Sequence, residues 1–291
     1  MSEAPTSTRR IAIVGLPASG KTTFLAALWN VLTARDLNTA LRFRNLASGN
    51  VGHLHAIADR WRDAREQDRT SLGGHRLVQM NLADQEGLPL AVNFPDVPGE
   101  IYRRMWEDRD CEPEIAEILT GSDVLLFIHS DTIQHPRWTI DEAAISKRLG
   151  IQIAQGQVVE WHPCLAPTQV QVVGLLQVLA SPPFDTGPRR LAIVFSAWDK
   201  GAQEGLPPDS FLDAKLPLLA QYLCCGSDSW AWRTYGLSAQ GGEYDPPDPA
   251  LESSPQALLL RNLDEPSRRI RLVDGESEHH DVTEPLAWLM K

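Results

Sequence analysis

The sequence predicts an α/β fold, a three-layer sandwich whose mostly parallel central sheet is covered by helices on both faces. Three observations predict it. Continuous apolar runs, rich in β-branched residues, occur at 11–14, 124–128 and 191–195, the pattern of strands buried on both faces. Stretches of helical composition or period lie between them, at 21–35, 51–66 and 168–180; parallel neighbours need such crossovers. Two more strand-like runs, 76–82 and 88–94, are joined by a short polar turn at 83–87. That hairpin implies one antiparallel edge strand.

In chain order, residues 1–8 are polar with no apolar core and are expected to be a flexible tail rather than a targeting leader. The first strand runs over 9–15 and the first helix over 21–35. A short strand is expected at 41–45. In 51–66, Leu54, Ile57, Ala58, Trp61 and Ala64 recur at helical spacing, and His53 and His55 flank that stripe as solvated residues. Asp123 introduces the strand 124–128. The helix 168–180 stops at Pro182-Pro183. A helix over 207–222 begins with Pro207 and Pro208, and Pro217 bends it or ends it. A strand at 233–237 and a short apolar helix at 284–290 complete the pattern. Residues 9–291 are expected to form a single domain with insertions at about 36–69, 131–167 and 241–282, because motif-bearing pieces lie on both sides of each. The last insertion is rich in Pro, Asp and Ser and is expected to be partly mobile.

Composition narrows the function classes. Apolar residues make up 43% of the chain, enough for a full core. A net charge of −11 argues against a broad nucleic-acid-binding face. The longest clean apolar run, 24–29, is far too short to span a bilayer. Cys111, Cys164, Cys224 and Cys225 show neither a C-x-x-C pair nor zinc spacing, as expected of reduced thiols in a cytoplasmic protein. His279-His280-Asp281 lacks the spacing of a closed metal site and is expected to be a surface turn. His129 ends a strand near the sheet's carboxyl edge, where ligands bind in open α/β sheets, but alone it specifies no role.

The most specific stretch is 15–22, which reads G-x-x-x-x-G-K-T between the first strand and the first helix, the arrangement of a P-loop. Gly15, Pro17, Ala18, Ser19, Gly20, Lys21, Thr22 and Thr23 are then nucleotide-binding residues. Glycines let the backbone wrap closely round phosphates, and the loop amides and helix N-terminus point positive dipole at them. Lys21 can reach the β- and γ-phosphates, and the Thr22 hydroxyl can ligate Mg²⁺. The second hairpin strand ends in D-x-x-G, with Asp96 and Gly99 at its fixed positions. An Asp here holds Mg²⁺, usually through water, and the Gly amide meets the γ-phosphate. That contact exists with a triphosphate and is lost with a diphosphate, so the loop after Gly99 can act as a switch. Thr70, just before the hairpin, can close over Mg²⁺ and the γ-phosphate; the neighbouring Ser71 offers the same chemistry.

Base recognition has its own candidates. Ser196-Ala197-Trp198-Asp199 follows the strand 191–195. The Asp199 carboxylate can accept from guanine N1–H and the 2-amino group, and it repels adenine, which presents an acceptor at N1. After the strand 233–237, a backbone amide of Ser238-Ala239 can meet guanine O6.

The order G-x-x-x-x-G-K-T, D-x-x-G, x-x-x-D, S-A resembles the guanine-nucleotide motifs of translation-factor and Ras-like P-loop GTPases, over nearly the whole chain. In detail, VGLPASGKTTFLAALW at 14–29, DVPGE at 96–100 and DVTEPLAWL at 281–289 look closest to the double-GTPase family of bacterial conflict (defence) systems. The resemblance implies a P-loop NTPase fold, GTP and GDP as ligands and Mg²⁺ as cofactor. It also implies a slow GTPase acting with a second GTPase or an effector, or by self-association, in a defence-type system. Lys21, Gly99, Glu100 and Thr70 are then the catalytic candidates. Two departures stand out. The broad family has N-K-x-D at the base, and this chain has Ser196 and Ala197 in the first two places. Ala cannot cover the base as Lys does, which leaves Trp198 or Lys200 to stack on it. Glu100 stands where many Ras-like GTPases place a water-positioning Gln; it either acts as a base or points away and leaves hydrolysis to a partner's group. Arg103 and Arg104 lie nearby and are expected to be solvated.

Two other classes share the P-loop. An ATP-using ATPase or nucleotide kinase accounts for residues 15–22 but not for Asp199 and Ser238-Ala239. A non-hydrolysing, nucleotide-bound assembly module accounts for Glu100 and the altered base motif, with 131–167 and 241–282 as partner surfaces.

Overall fold

The computed structural model describes residues 9–67, 76–96, 99–136, 142–151, 160–225, 229–246 and 252–291. The chain opens with β1 (Arg9–Gly15) and α1 (Lys21–Ala34). Next come β2 (Arg42–Ser48) and α2 (Val51–Arg62), whose Asn50 cap accepts from the His53 amide at 3.2 Å. The hairpin β3 (Arg76–Ala83) and β4 (Pro89–Asp96) turns on Asp84, whose Oδ1 accepts from the amides of Glu86 and Leu88. Helices α3 (Gly99–Glu107) and α4 (Pro113–Leu119) lead to β5 (Asp123–His129). Then follow α5 (Glu142–Leu149), α6 (Thr168–Leu179), β6 (Arg189–Ser196) and α7 (Trp198–Gly201). Pro217 ends α8 (Pro208–Lys215) and starts α9 (Pro217–Cys224). The chain closes with β7 (Trp230–Ser238), α10 (Pro255–Arg261), β8 (Arg271–Asp274), β9 (Ser277–His279) and α11 (Glu284–Met290).

Among the described residues, nine strands join one sheet in the order β2-β3-β4-β1-β5-β6-β7-β8-β9. The central five, β4 to β7, are parallel. Period-two alternation sends their side chains to opposite faces. In β1, Ile11 and Ile13 enter one core and Ala12 and Val14 the other; in β5, Leu125 and Phe127 oppose Val124, Leu126 and Ile128. Residues of α1, α2 and α11 complete the first core, and residues of α3, α4, α6, α8 and α9 the second. Phe127 packs its ring 5.0 Å from that of Phe24, tying the middle of the sheet to the helix behind the glycine loop. Truncating such a buried ring to Ala costs about 3–5 kcal/mol.

The α/β sandwich is the one the sequence predicts, but its margins differ. The single antiparallel edge strand becomes antiparallel pairing at both margins. β3 is not an edge, because β2 pairs outside it, and β8 and β9 extend the opposite side. Strands of four and three residues such as β8 and β9 carry too little alternation to be seen in sequence. The segment 36–69 supplies β2 and α2, with Leu41, Leu54 and Trp61 in the first core. The described part of 241–282 is folded too, into α10, β8 and β9. Among the described residues no helix is long and apolar enough to cross a membrane, and the four cysteines are free.

Candidate nucleotide site

β1, β4, β5, β6 and β7 all end at one edge of the sheet, at Gly15, Asp96, His129, Ser196 and Ser238. Above that edge lies a cavity of about 660 Å³, within the size range of small-molecule sites. It is lined by Pro17 to Thr23, Gly99, Glu100, Asp199, Ser238 and Ala239. A second concavity of about 660 Å³, beside Arg109, Pro182 and Tyr222, contains none of the motif residues.

The glycine loop is held by its own backbone. Gly20 adopts φ 87° as it enters α1, and Ala18 adopts φ 56°, a left-handed conformation that costs a non-glycine residue about 1–2 kcal/mol. Gly15 does not line the cavity. Its role is close approach, since a Cβ there would lie 2.5 Å from Ser19 Oγ and 2.8 Å from the Phe127 carbonyl oxygen. Lys21 Nζ arches over the loop and donates to the carbonyls of Gly15 (2.8 Å) and Leu16 (3.1 Å). It also stands 5.7 Å from the centroid of the Tyr102 ring.

Gly99 abuts this loop. A Cβ on it would fall 2.3 Å from Pro17 N and 2.5 Å from the Leu16 carbonyl carbon, so only glycine permits the approach. The residues that follow are not the loop that the sequence suggests. They form α3, moored by the buried Tyr102 hydroxyl, which donates to the Ile13 carbonyl at 2.7 Å. Glu100 lines the cavity. Arg103 pairs with Glu107 at 3.8 Å and Arg104 with Asp110 at 2.6 Å, and neither lines the cavity. Asp96 ends β4 at the same edge. Thr70 and Ser71 lie outside the described residues.

Elsewhere in the cavity the two motifs expected to read a base meet. Ser238 Oγ donates to Asp199 Oδ1 at 2.8 Å, fixing the carboxylate through a side chain where the sequence suggests only a backbone amide. Ala197 is left-handed at φ 50°, and its carbonyl accepts from Ser130 Oγ at 2.8 Å. Ser196, in the first place of the altered base motif, is buried against Gly20, whose Cβ would lie 2.9 Å from its own. Trp198 cannot cover a base. It is buried in the second core against Phe195 and Phe211, and a Cβ on Gly236 would lie 2.3 Å from its ring. Lys200 does line the cavity and pairs with Asp131 at 3.0 Å. His129 lines it as well, and burial pushes its imidazole below its ordinary pKa, so it is neutral at pH 7.

The remaining wall comes from residues that carry no motif: Glu66, Gln67, Gln240, Gly242, Glu243 and Tyr244. They arrive by long-range pairing. Arg65 and Asp245 form a parallel bridge, with the Glu66 amide on the Asp245 carbonyl at 2.9 Å. Trp61 Nε1 donates to the Ala239 carbonyl at 2.8 Å, and Gln240 Nε2 to the Trp61 carbonyl at 3.3 Å. Arg269 stacks on Trp61 and donates to the carbonyls of Trp61, Arg62 and Leu260; burial lowers its pKa to about 10. Helical spacing marks Trp61 only as an apolar residue, so nothing in the sequence signals this role.

Burial beside Asp110 and Glu112 raises the Cys111 thiol to about pKa 11, which keeps it protonated. Among the described residues no group of three or more His, Cys, Asp or Glu side chains is placed to hold a metal ion. The Thr22 hydroxyl, which lines the cavity, is a hard oxygen donor of the kind Mg²⁺ takes.

A family model, Double-GTPase 1, matches residues 12–289. No curated protein matches the chain. Among solved structures, the putative nucleolar GTP-binding protein 1 of Plasmodium falciparum is similar at 16% identity, covering 81% of this chain and 80% of that one with a TM-score of 0.34.

Proposed function

The chain belongs to the Double-GTPase 1 family, and on that premise we propose that it is a Mg²⁺-dependent GTP-binding switch with a slow intrinsic GTPase that acts with a protein partner. One observation carries the guanine reading: Asp199, oriented by Ser238 at 2.8 Å, faces the same cavity as Lys21 and the glycine loop. In this reading the Lys21 ammonium exchanges the Gly15 and Leu16 carbonyls for β- and γ-phosphate oxygens, and the amides at the start of α1 complete the cradle. Thr22 and Asp96 would hold Mg²⁺, with Thr70 as a further candidate, and the ion would neutralise charge on the β- and γ-oxygens. The Gly99 amide, pressed against the loop, reports the γ-phosphate to α3. Asp199 accepts from N1–H and the 2-amino group of guanine, and the amides at Ser238-Ala239 face O6. Water attacks in line with the leaving diphosphate. Glu100, which lines the cavity, is the candidate to contact that water, and a partner supplies what a carboxylate beside a phosphate cannot.

Residues 9–291 act as one GTPase-like unit in this reading, supported by the single sheet that runs through all nine strands. A cytoplasmic setting in a bacterial defence-type system, with a second GTPase or an effector as partner, rests on the family resemblance. GTP should bind at least about tenfold more tightly than ATP, and Asp199→Asn should shift preference to a purine nucleotide with a carbonyl at C2. Equal affinity for ATP and GTP in equilibrium titration overturns the guanine assignment. Glu100 in the cavity also favours a second reading, a nucleotide-bound assembly module that does not hydrolyse. Intact GTP surviving purification, with no phosphate released when partners are added, would support that reading over the first.

A further inference from the structure

With Ala197 where a base-covering Lys would stand and Trp198 buried in the core, the side of the cavity next to Asp199 needs another lid for a purine. We propose that Tyr244, carried by the segment after β7, is that lid and stacks on the base held by Asp199. This inference rests on the nucleotide reading above and adds a residue that no motif contains.

Three observations support it. Tyr244 lines the cavity together with Asp199, Lys200 and Ser238. It is 45% exposed, so the ring has a free face rather than a core partner. Its backbone is pinned on both sides. Upstream, Gly241 has φ 82° and packs so tightly that a Cβ would lie 2.3 Å from the Arg269 carbonyl oxygen. Downstream, Asp245 is buried, bridged to Arg65, paired with Arg261 and bonded by the Ser254 amide at 2.9 Å. A half-exposed ring on a fixed backbone loses little freedom on binding, which favours stacking. Electrostatics agree, because burial raises the Tyr244 hydroxyl and its charged neighbours are Glu66, Lys200 and Asp199. The ring therefore stays neutral and stacks as an aromatic face. Lys200, tethered by Asp131, is the competing cover.

The test is GDP affinity of the full chain by calorimetry, with melting temperature as a check on folding. Tyr244→Ala should weaken GDP and GTP equally, by about five- to hundredfold, the range for loss of one base–aromatic stack. Tyr244→Phe should bind like the unaltered protein, because the ring and not the hydroxyl makes the contact. Tyr244→Leu keeps bulk without a π-face and should behave like Tyr244→Ala; it serves if the Ala variant does not fold. Unchanged GDP affinity in both Tyr244→Ala and Tyr244→Leu overturns the inference. So does equal loss in Tyr244→Phe, or a loss confined to Lys200→Ala. Should the unaltered chain fail to bind GDP at all, the nucleotide reading falls and this inference with it. Binding by the unaltered chain that is indifferent to Tyr244 sinks this inference alone.

Discussion

The phosphate end and the base end of the cavity are built by different means. At the phosphate end one continuous stretch, Pro17 to Thr23, lines the cavity, joined by Gly99 and Glu100. Its ammonium bonds reach five and six residues back. At the base end, contacts bridge 39 positions between Asp199 and Ser238, 178 between Trp61 and Ala239, and 208 between Arg269 and Trp61. The first end is encoded locally, by glycines and a helix start. The second is assembled by packing two distant segments against the sheet. Damage far from a ligand should therefore reach the base end and spare the phosphate end.

The largest expected effect breaks the phosphate end alone. Lys21→Ala should lower affinity for GDP and GTP by about a hundredfold, the scale of losing charge-assisted hydrogen bonds in a partly desolvated site. Whatever binding remains should keep its preference for guanine over adenine. Comparable affinities before and after the change, measured with both nucleotides, would remove the P-loop assignment itself.

A smaller effect is expected from a residue that touches no ligand. Trp61→Phe keeps the ring in the core but leaves the Ala239 carbonyl without its donor, at a cost to stability of about 1–3 kcal/mol. The preference for GTP over ATP should narrow, while phosphate-dominated affinity changes little. A protein that loses stability yet discriminates bases as before would mean that α2 does not support the base end.

The smallest effect is a response to acid. The Ser254 amide, together with Ser253 and Arg261, lowers the Asp245 carboxyl from 3.8 to about 2. A carboxylate depressed in the folded state contributes stability that is complete above its unfolded value and is lost as pH falls through the folded one. The bridge between Arg65 and Asp245 should therefore loosen between about pH 4 and pH 2. The protection of the Glu66 and Asp245 amides from hydrogen exchange, taken relative to the intrinsic rate at each pH, should fall with that loss, and Asp245→Asn should remove the fall. Protection that stays constant across the window in the unaltered protein would show that the Asp245 carboxylate does not hold the two segments together.

Much of this contrast is legible in the amino-acid sequence. The buried parallel strands, the hairpin and the first helix declare themselves because their signals are short-range: β-branched runs, a polar turn, a glycine loop ahead of a helix. The motif residues on strand ends are equally legible, and the fold brings Lys21, Gly99, Asp199 and Ser238 to one cavity. The loop expected after Gly99 folds as α3 instead, because Ile101 and Met105 are buried in the second core and the Tyr102 hydroxyl bonds to β1. Trp198 has the ring to cover a base, yet the core claims it through the gap left by Gly236. The expected single edge strand gives way to two antiparallel margins, since β2, β8 and β9 form only where a neighbour already offers its hydrogen bonds.

By itself, then, the order of residues determined the parallel middle of the sheet and the glycine loop that carries Lys21, which follow from local backbone preference and hydrophobic period. Which distant segments complete the cavity wall was decided only by the folded chain. Trp61, Arg269, Asp245 and Tyr244 act across separations of many tens of residues or more, and no local pattern records which distant carbonyl or ring will lie opposite. That information exists only in the packing of one segment on another.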